Sequence, residues 1–350
     1  MLLFIFFNIL SIYLSIYLSI YEYNTCSIKL FYRLMKRATK CFCFDLSCFL
    51  LFKFSQFSLP EYNYGLPGKG KSKKRKQFIL PKISGEILFG IHPVILALKC
   101  EKRTFYKLYL QNSIQKSDPH QQIMTTCNEK GVIVMPTDKT ILDCLSGNRP
   151  HQGVCLDAST LKVDTLEIDL FRKSKIIAAK EPPLWLLLYR IQDPMNFGAI
   201  LRSCYYLGVD RVIFSQENSA PLNPVVSKSS SGAMEIVPMS ATQREQSLVY
   251  MIKTEKKNGW KVIGSVGRQD IDSLNRSSVI PIDQFVLRDP TILMIGNEGS
   301  GLTDRMLRLC DELVTINPRN DDHCPLVDSL NVSVATGILL HSLKKSRNPS

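Results

Sequence analysis

The stretch TILMIGNEGSGL, residues 291–302, joins an uninterrupted apolar run to a loop that holds three glycines and a single charge. A short apolar run that glycine terminates is typical of a fully buried strand. Gly296, Gly299 and Gly301 permit tight turns and a close approach of the backbone to a ligand, and Glu298 is the one charge among them. Taken alone, the loop predicts little, because most glycine loops are only turns.

Five further apolar runs predict the rest of a sheet. They cover residues 184–191, 211–215, 235–239, 260–266 and 312–317, with helices expected to begin near Gly198, Pro224, Thr242, Leu302 and Ser329. Continuous apolar strands that alternate with helices predict an α/β fold whose parallel sheet is covered by helices on both faces. Ligands bind such sheets at the carboxyl ends of the strands, so the glycine loop lies where a site is expected.

A smaller α/β unit precedes this sheet. Helices over residues 92–100 and 137–147 and strands at 105–110, 130–136 and 151–159 predict it. We interpret its unusual pair, His151 and Gln152, as loop residues rather than catalytic ones. The charged stretch that ends in KEPP predicts a linker. The predicted domains are a leader with a basic linker (1–82), the small unit (83–160), a linker (161–183) and the large α/β domain (184–346).

Charge and cysteine content restrict the class of partner. Twelve Lys or Arg against three acidic residues place +9 of the formal net charge of +13 in residues 1–80, which leaves +4 for the rest of the 350 residues. A modestly basic folded part suits a polyanionic partner such as nucleic acid, because a few clustered cations suffice to displace counterions. The eleven cysteines are odd in number and lack a C-x-x-C pair, and the five histidines lack ligand spacing, so we expect free thiols and no metal site.

The first 40 residues carry two competing signals. Residues 1–21 are apolar and almost uniformly so, which suits a membrane span or an uncleaved signal. Residues 29–40, KLFYRLMKRATK, are instead basic and free of acids, as in a mitochondrial presequence, and Met35 is an alternative start. The residues leave a membrane anchor, a targeting leader and an over-extended gene model open.

Residues 65–72, GLPGKGKS, satisfy the phosphate-loop pattern G-x-x-x-x-G-K-[ST]. That pattern needs a buried strand before it and a helix after it, so that backbone N–H groups converge on a phosphate. Here Pro60 lies in the preceding stretch and Pro81 ends the charge run that follows, so neither flank supplies the context. A solvated basic linker that touches RNA phosphates is the favoured interpretation, and an ATPase is the alternative that rests on this loop alone.

Three motifs follow predicted strands. NFGAILR (196–202) places Asn196 and Arg202 on either side of an expected helix start, GNEGSGL (296–302) follows the fifth strand, and SLNVSVA (329–335) comes after the sixth. No predicted strand leads into G-x-G-x-x-G, so the dinucleotide fingerprint is not supported. Together and in this order, the motifs resemble the three signatures of the SpoU/TrmH class of SPOUT RNA 2′-O-ribose methyltransferases.

The resemblance extends over about residues 83–346. LFGIHPVILAL and HQGV look like the small ribosomal-protein-L30e-like RNA-binding domain of rRNA guanosine 2′-O-methyltransferases, and SKSSSGAMEIVP (227–238) also matches. The resemblance implies a C-terminal deep trefoil knot, S-adenosylmethionine as cofactor, rRNA as substrate, and a homodimer with active sites at the subunit contact. It also implies a mitochondrial location. The alternatives are a cytoplasmic protein and a protein that is anchored to a membrane through residues 1–21.

The resemblance also implies the site residues. Family catalytic residues map onto Asn196, Arg202, Glu298, Ser329 and Asn331, and backbone contacts with the cofactor map onto Gly296, Ile316 and Leu330. Relatives usually place Pro directly after the isoleucine, whereas Asn317 is inserted here, so we expect a differently shaped adenine pocket.

The expected chemistry gives these side chains distinct roles. A ribose hydroxyl is a poor nucleophile at neutral pH, so the site must align it with the methyl donor and stabilise the oxygen as its proton leaves. Because a guanidinium stays protonated, Arg202 is expected to stabilise the developing alkoxide while a phosphate or water takes the proton. Ser329 and Asn331 cap the last helix in one interpretation and face substrate and cofactor in the other, which we favour. A non-catalytic RNA-binding or ribosome-assembly factor on the same fold is the alternative function.

Overall fold

The structure, a computed structural model, describes residues 80–112, 118–166, 181–267, 279–318 and 329–346. These residues form two β-sheets, of which the smaller is mixed. The first sheet contains β1 (Glu86–Phe89), β2 (Phe105–Gln111), β3 (Ile133–Thr137) and β4 (Val154–Ala158), with helices α1 (Ile91–Cys100), α2 (Asp118–Glu129) and α3 (Lys139–Leu145). In the order β1-β4-β2-β3, the buried β4 is antiparallel to β1 and β2, whereas β2 and β3 are parallel. Each helix and strand predicted here is present, within three residues of its expected bounds.

The larger sheet is parallel at each pair of neighbouring strands that the structure describes. Its strands are β5 (Asp164–Thr165), β6 (Leu184–Leu188), β7 (Arg211–Ser215), β8 (Met239–Thr242), β9 (Lys261–Ser265), β10 (Val279–Pro281), β11 (Thr291–Ile295) and β12 (Glu312–Thr315). They follow the order β10-β12-β9-β11-β6-β7-β8-β5. The predicted parallel sheet is confirmed, and the carboxyl ends of β6, β11 and β12 lie at one edge of it.

Helices cover both faces of the larger sheet. They are α4 (Pro194–Tyr206), α5 (Pro224–Ser229), α6 (Glu245–Lys257), α7 (Asp304–Leu307) and α8 (Val332–Lys345). Along β6, Leu184, Leu186 and Leu188 belong to the core that α4, α5 and α8 cover, whereas Trp185 and Leu187 belong to the core beneath α6 and α7. Each fully buried leucine stabilises the fold by roughly 1.5–3 kcal/mol relative to an exposed one. The predicted α/β sheet with two covered faces is confirmed.

One predicted strand is wrong. Residues 235–239 do not form a strand, because Glu235 ends a 3-10 turn (Ala233–Glu235) and β8 begins only at Met239. The apolar content of EIVPM is typical of a buried strand. However, the Glu235 carboxylate is held by an ion pair with Arg103, and Pro238 has no N–H to donate to a neighbouring strand.

Several helices begin at residues other than those predicted. α4 begins at Pro194 rather than near Gly198, because the Asp193 side chain accepts the N–H of Met195 and Pro194 occupies the first helical position. Asn196 and Arg202 therefore lie within one helix instead of on either side of its start. The helices expected near Thr242, Leu302 and Ser329 begin two or three residues later, at Glu245, Asp304 and Val332.

Four elements are not evident from the sequence patterns. α2 has only His120, Ile123 and Cys127 buried, which leaves too weak an apolar stripe to predict a helix. β1 and β10 have four and three residues, which is short for a recognisable strand pattern. β5 pairs with β8 although its two residues fall within the predicted linker 161–183.

A buried ion pair joins the small sheet region to the large one. Nε and Nη2 of Arg103, which follows α1, donate to the Glu235 carboxylate at 2.7–3.1 Å, and both side chains are fully buried. The same guanidinium also binds Glu86 and donates to the carbonyl of Ser159 at 2.8 Å. Burial raises the pKa of Glu86; Arg103 opposes this increase and the Glu235 carboxylate adds to it, so the net shift is upward. One guanidinium thus serves two carboxylates.

The predictions for the leader lie outside the described residues. They concern the apolar residues 1–21, the presequence-like residues 29–40 and the phosphate-loop pattern at 65–72. Within the part of the chain that the structure describes, no helix combines the length and the apolar character needed to cross a bilayer.

Candidate active site

The loop after β11 is a closed turn. Asn297 and Gly301 exchange two backbone hydrogen bonds of 3.0 Å, and Asn297 Oδ1 accepts the N–H of Gly299 at 2.9 Å. A Cβ at Gly296 would overlap the backbone of Gly301, and Gly301 itself has a φ of 63°, so both positions require glycine. The turn therefore holds Glu298 in a fixed position at its tip.

The Glu298 carboxylate binds the loop that follows β6. It accepts the backbone N–H groups of Gln192 at 3.1 Å and Asp193 at 3.0 Å, and the side-chain amides of Asn297 at 3.2 Å and Asn196 at 3.4 Å. Partial burial raises the pKa of Glu298, but the hydrogen bonds from Asp193, Gln192 and Asn196 outweigh burial, so the pKa lies below its ordinary value. Glu298 is therefore ionised at neutral pH and ties the ends of β6 and β11 together.

Asn196 links Glu298 to the last helix. Its Nδ2 donates to Glu298, and its Oδ1 accepts a hydrogen bond from Asn331 Nδ2 at 3.0 Å. The other atom of that amide, Asn331 Oδ1, accepts the N–H groups of Ser333 at 2.9 Å and Val334 at 3.4 Å, which caps α8. Asn331 thus caps a helix with its oxygen and reaches the candidate site with its nitrogen.

Glu298, Asn196 and Asn331 form a hydrogen-bonded set, called here the polar trio. Glu298 and Asn331 lie 102 and 135 residues from Asn196 in the sequence, and they come from the crossovers after β11 and β12. The structure thereby brings together three of the five residues predicted to be catalytic. Their contact depends on the parallel sheet, because parallel strands present their carboxyl ends at one edge.

The structure does not bring Arg202 or Ser329 into the polar trio. Arg202 lies six residues beyond Asn196 on α4, about 9 Å along the helix axis. Its side chain is exposed and forms no hydrogen bond or ion pair with any residue that the structure describes. Ser329 is exposed two residues before Asn331. The Arg202 guanidinium is therefore available to a ligand.

The three residues predicted to hold the cofactor border the same edge of the sheet. Gly296 is buried directly after β11, and Ile316 follows β12, with β9 between these two strands. Ile316 packs against the core cluster that Val332 also contacts, whereas the side chain of Leu330 is 49% exposed. Leu330 directly precedes Asn331 and Gly296 lies two residues before Glu298, whereas Ile316 lies at the same end of the sheet, two strands from Gly296. Within the described ranges, no three His, Cys, Asp or Glu residues gather to hold a metal ion.

Two residues of the quoted motifs have roles that the sequence analysis missed. A Cβ at Gly198 would overlap Ser229 and the Val226 carbonyl, so glycine lets α4 and α5 approach closely. A glycine inside a helical pattern is the signal for such an approach. Asn297 fastens the loop by donating to the carbonyl of Arg190 at 2.8 Å, and an Asn before a glycine turn is its signal. The backbone N–H groups that bind Glu298 have no signal in the sequence.

The chain matches two family models. One, described as the SpoU rRNA Methylase family, covers residues 183–341, and the other, RNA 2'-O ribose methyltransferase substrate binding, covers residues 87–163. A protein from Homo sapiens named rRNA methyltransferase 1, mitochondrial, is 39% identical over 275 residues, which cover 77% of this chain and 75% of that relative. The chain belongs to the SpoU rRNA methylase family. The predicted membership in the SpoU/TrmH class is therefore confirmed.

A bacterial relative and a solved structure share the same extent. The 23S rRNA (guanosine-2'-O-)-methyltransferase RlmB of Vibrio parahaemolyticus is 31% identical over 266 residues, which cover 76% of this chain and 98% of the relative. The crystal structure of the SpoU methyltransferase AviRb from Streptomyces viridochromogenes with AdoMet has a TM-score of 0.58 at 21% identity and covers 75% of this chain and 89% of that one, which shows a shared fold. In this SpoU-family protein, residues 87–163 contain β2–β4 and most of β1, and residues 183–341 contain β6–β12 and the polar trio.

Proposed function

We propose that this SpoU-family protein transfers a methyl group from S-adenosylmethionine to the 2′-hydroxyl of a ribose in rRNA, and that the ribose belongs to a guanosine of large-subunit rRNA. The observation that carries the proposal is the polar trio, which gathers polar side chains from three crossovers at the ligand-binding edge of the sheet. The bacterial relative named as a 23S rRNA guanosine methyltransferase supports the choice of nucleotide.

The residues at the strand ends fit S-adenosylmethionine. A cofactor of this kind needs an apolar surface for its adenine and a few well-placed polar groups. Leu330 and Ile316 provide apolar side chains, and Gly296 lets the turn from Asn297 to Gly301 pack directly against the end of β11. In this proposal the backbone groups of these three residues hold the cofactor, and the exposed Asn317 shapes the adenine end of the pocket. The bound cofactor supplies an electrophilic methyl group on a sulfonium.

The chain's own residues then activate the ribose hydroxyl. Arg202, exposed and free of ion pairs within the described residues, stabilises the oxygen as negative charge develops on it. Glu298 is a poor general base because its pKa is lowered and its oxygens already accept hydrogen bonds, so it positions Asn196 instead. Asn331 orients the other end of that amide, and Ser329 faces the substrate beside it. The proton passes to an adjacent phosphate or to water.

The direct test is methyl transfer by the purified full-length chain to large-subunit rRNA transcribed in vitro. With labelled S-adenosylmethionine, we expect one ribose to become methylated and the bond after it to resist alkaline hydrolysis. Calorimetry should register cofactor binding in the absence of RNA. A protein that retains RNA yet neither binds the cofactor nor methylates would instead act as the non-catalytic assembly factor.

Asn331→Ser is expected to lower kcat about fivefold. Serine keeps the helix cap but loses the Nδ2 donor that orients Asn196, and one hydrogen bond is worth about 1 kcal/mol. Steady-state methyl transfer at saturating cofactor and RNA measures the effect. The matched control is Ser333→Ala, which removes only the hydroxyl that donates to Asn331 Oδ1 at 2.7 Å. If both variants turn over at the wild-type rate, the polar trio has no catalytic role.

The active form in this proposal is a homodimer. Val334 and Ile338 lie four residues apart on one side of α8 and are 51% and 38% exposed, and Leu330, just before the helix, is 49% exposed. The opposite side of the helix, including Leu339 and Leu340, is buried in the core. An exposed apolar stripe of this kind marks a contact with another protein surface. Because the stripe begins beside Asn331, a second copy that covers it would adjoin the active site.

Val334→Glu combined with Ile338→Glu is expected to dissociate the dimer, because two charges would be buried without partners at the contact. Sedimentation equilibrium should give a dimeric wild type and a monomeric variant with reduced methyl transfer. Tyr250→Glu on α6 is the control, since that side chain is 66% exposed on the other face of the sheet. A wild type that sediments as a monomer at micromolar concentration contradicts the homodimer.

We also propose two finer features of the fold. The C-terminal part of the large domain (184–346) forms a deep trefoil knot, and the small domain (83–160) is L30e-like and binds RNA. The return of α8 to pack against α4, with Asn331 bonded to Asn196, supports the first assignment. The four-stranded mixed sheet with its helices supports the second. A mitochondrial location is supported by the name of the human relative.

A further inference from the structure

A cleft of about 520 Å³ opens at one end of the small sheet, beside the loop that connects α3 to β4. Its rim includes Asn148 and Gln152, whose φ angles are 59° and 54°. Residues other than glycine seldom adopt positive φ, so the surrounding structure must hold this loop in place.

Two buried histidines hold the loop. His151 Nε2 lies 3.0 Å from Asp143 Oδ1, and His151 Nδ1 accepts the N–H of Gly153 at 2.9 Å. Nδ1 is therefore the unprotonated nitrogen of a neutral ring, and Nε2 donates. His120 Nε2 lies 3.1 Å from the carbonyl oxygen of Gln152. His151 lies in a loop, as predicted, and these contacts fasten the loop to α2 and α3.

Two exposed cations stand on the rim of the cleft. The side chains of Lys139 and Arg149 form no ion pair or hydrogen bond with any residue that the structure describes. The acid that lines the cleft, Asp143, accepts a hydrogen bond from the neutral His151 ring and keeps its negative charge. Lys139 and Arg149 together outweigh that single carboxylate, so the cleft carries a net positive charge.

Lys228 extends this positive surface onto the large domain. Its Nζ donates to Gln152 Oε1 at 2.8 Å, and the same oxygen accepts the N–H of Ile91 at 3.2 Å. Burial lowers the pKa of Lys228, and no carboxylate among the described residues forms an ion pair with it. The next residue, Ser229, donates to the carbonyl of Pro194, the first residue of α4, at 3.2 Å. The cations thus lead from the small domain to the helix that carries Asn196 and Arg202.

We propose that Lys139, Arg149 and Lys228 form a phosphate track, which binds the sugar–phosphate backbone of the rRNA substrate and leads it from the cleft towards the active site. The proposal rests on the proposed function and deepens it. Contacts with phosphates position a nucleic acid without reading its sequence, and unpaired Lys and Arg side chains provide them. The amides of Asn148 and Gln152 lie on the same rim, where a ribose hydroxyl can meet them.

The salt dependence of RNA binding tests the phosphate track. The full-length wild type and the double variant Lys139→Gln/Arg149→Gln are titrated with large-subunit rRNA transcribed in vitro, between about 50 and 200 mM salt. Log K falls as log salt rises, and each lost phosphate contact makes this negative slope shallower by about one. For the double variant we therefore expect a slope shallower by about two and roughly tenfold weaker binding. Lys228→Gln, tested separately, should make the slope shallower by about one. The affinity for S-adenosylmethionine in the absence of RNA should not change.

Lys99→Gln is the matched control. It removes an exposed positive charge at the far end of α1, about 12 Å from Ile91 at the cleft, and should leave the slope unaltered. Slopes for the track variants equal to that of the wild type overturn the proposal, whatever their effect on affinity. Binding is measured apart from turnover, so a wild type that fails to methylate refutes the proposed function without deciding this result.

Discussion

Arg202→Ala is expected to lower kcat for methyl transfer about 100- to 1,000-fold, which is the loss typical when one preorganised donor to a developing oxyanion is removed. The reaction needs such a donor because a ribose hydroxyl carries little negative charge until its proton leaves. Arg202 suits this role, since a guanidinium stays protonated and its side chain makes no competing ion pair with the described residues. Single-turnover methyl transfer from labelled S-adenosylmethionine measures the loss.

The exposure of Arg202 makes this prediction specific. Because no described residue depends on the side chain, the free energy of unfolding and the affinity for S-adenosylmethionine should match the wild type. Arg202→Lys retains the charge but not the planar fork, so part of the activity should return. Lys253→Ala, which removes an exposed cation from α6 on the other face of the sheet, should be fully active. A fully active Arg202→Ala would remove this residue from the catalytic set.

The strands of the large sheet were the most predictable part of the fold. β6, β7, β9, β11 and β12 each lie within a predicted apolar run. Strands buried on both faces need apolar side chains at nearly every position, and such runs stand out from alternating patterns. The order of the strands in the sheet could not be predicted in this way. It depends on where each crossover returns to the sheet, which the apolar runs do not show.

Predictions failed where a polar group or a cap decides the local structure. Glu235 stands in an apolar stretch, yet it ends a 3-10 turn because Arg103, 132 residues away, binds it in a buried ion pair. α4 begins at Pro194 because Asp193 caps it, whereas the apolar pattern alone favours a start near Gly198. Side-chain partners distant in sequence, or caps that precede the apolar pattern, determine both features.

The candidate site was predictable as a list of residues but not as an arrangement. Asn196, Glu298 and Asn331 were predicted from motifs, and the hydrogen bonds that connect them appear only once the crossovers lie at one edge of the sheet. The Gln192 and Asp193 N–H groups bind Glu298 through the backbone, which any residue other than proline supplies. The sequence therefore carries no mark of these two contacts, although they keep Glu298 ionised.

Arg103→Met is expected to lower the free energy of unfolding by about 3–5 kcal/mol, the range for a buried ion pair that loses one partner. The substitution leaves the fully buried Glu235 carboxylate without a counter-charge. It also removes the guanidinium that Glu235 shares with Glu86. Urea titration measures the loss through tryptophan fluorescence, since the only two tryptophans, Trp185 and Trp260, pack with ring centroids 4.1 Å apart in the large domain.

The two carboxylates at Arg103 should differ sharply in importance. Glu86→Gln is expected to change stability by less than about 1 kcal/mol, because burial already raises the pKa of Glu86 and the amide still accepts a hydrogen bond while Arg103 and Glu235 remain a balanced pair. Replacing Arg103 with Met and Glu235 with Leu in the same chain should recover most of the lost stability. Both members of the fully buried ion pair are then apolar, so neither leaves an unpaired charge. If Arg103→Met is as stable as Glu86→Gln, the guanidinium does not hold the small domain against the large one. The contact between the two domains must then depend on α1 and the turn around Gly232, which pack so closely that a Cβ at Gly232 would press on Leu96.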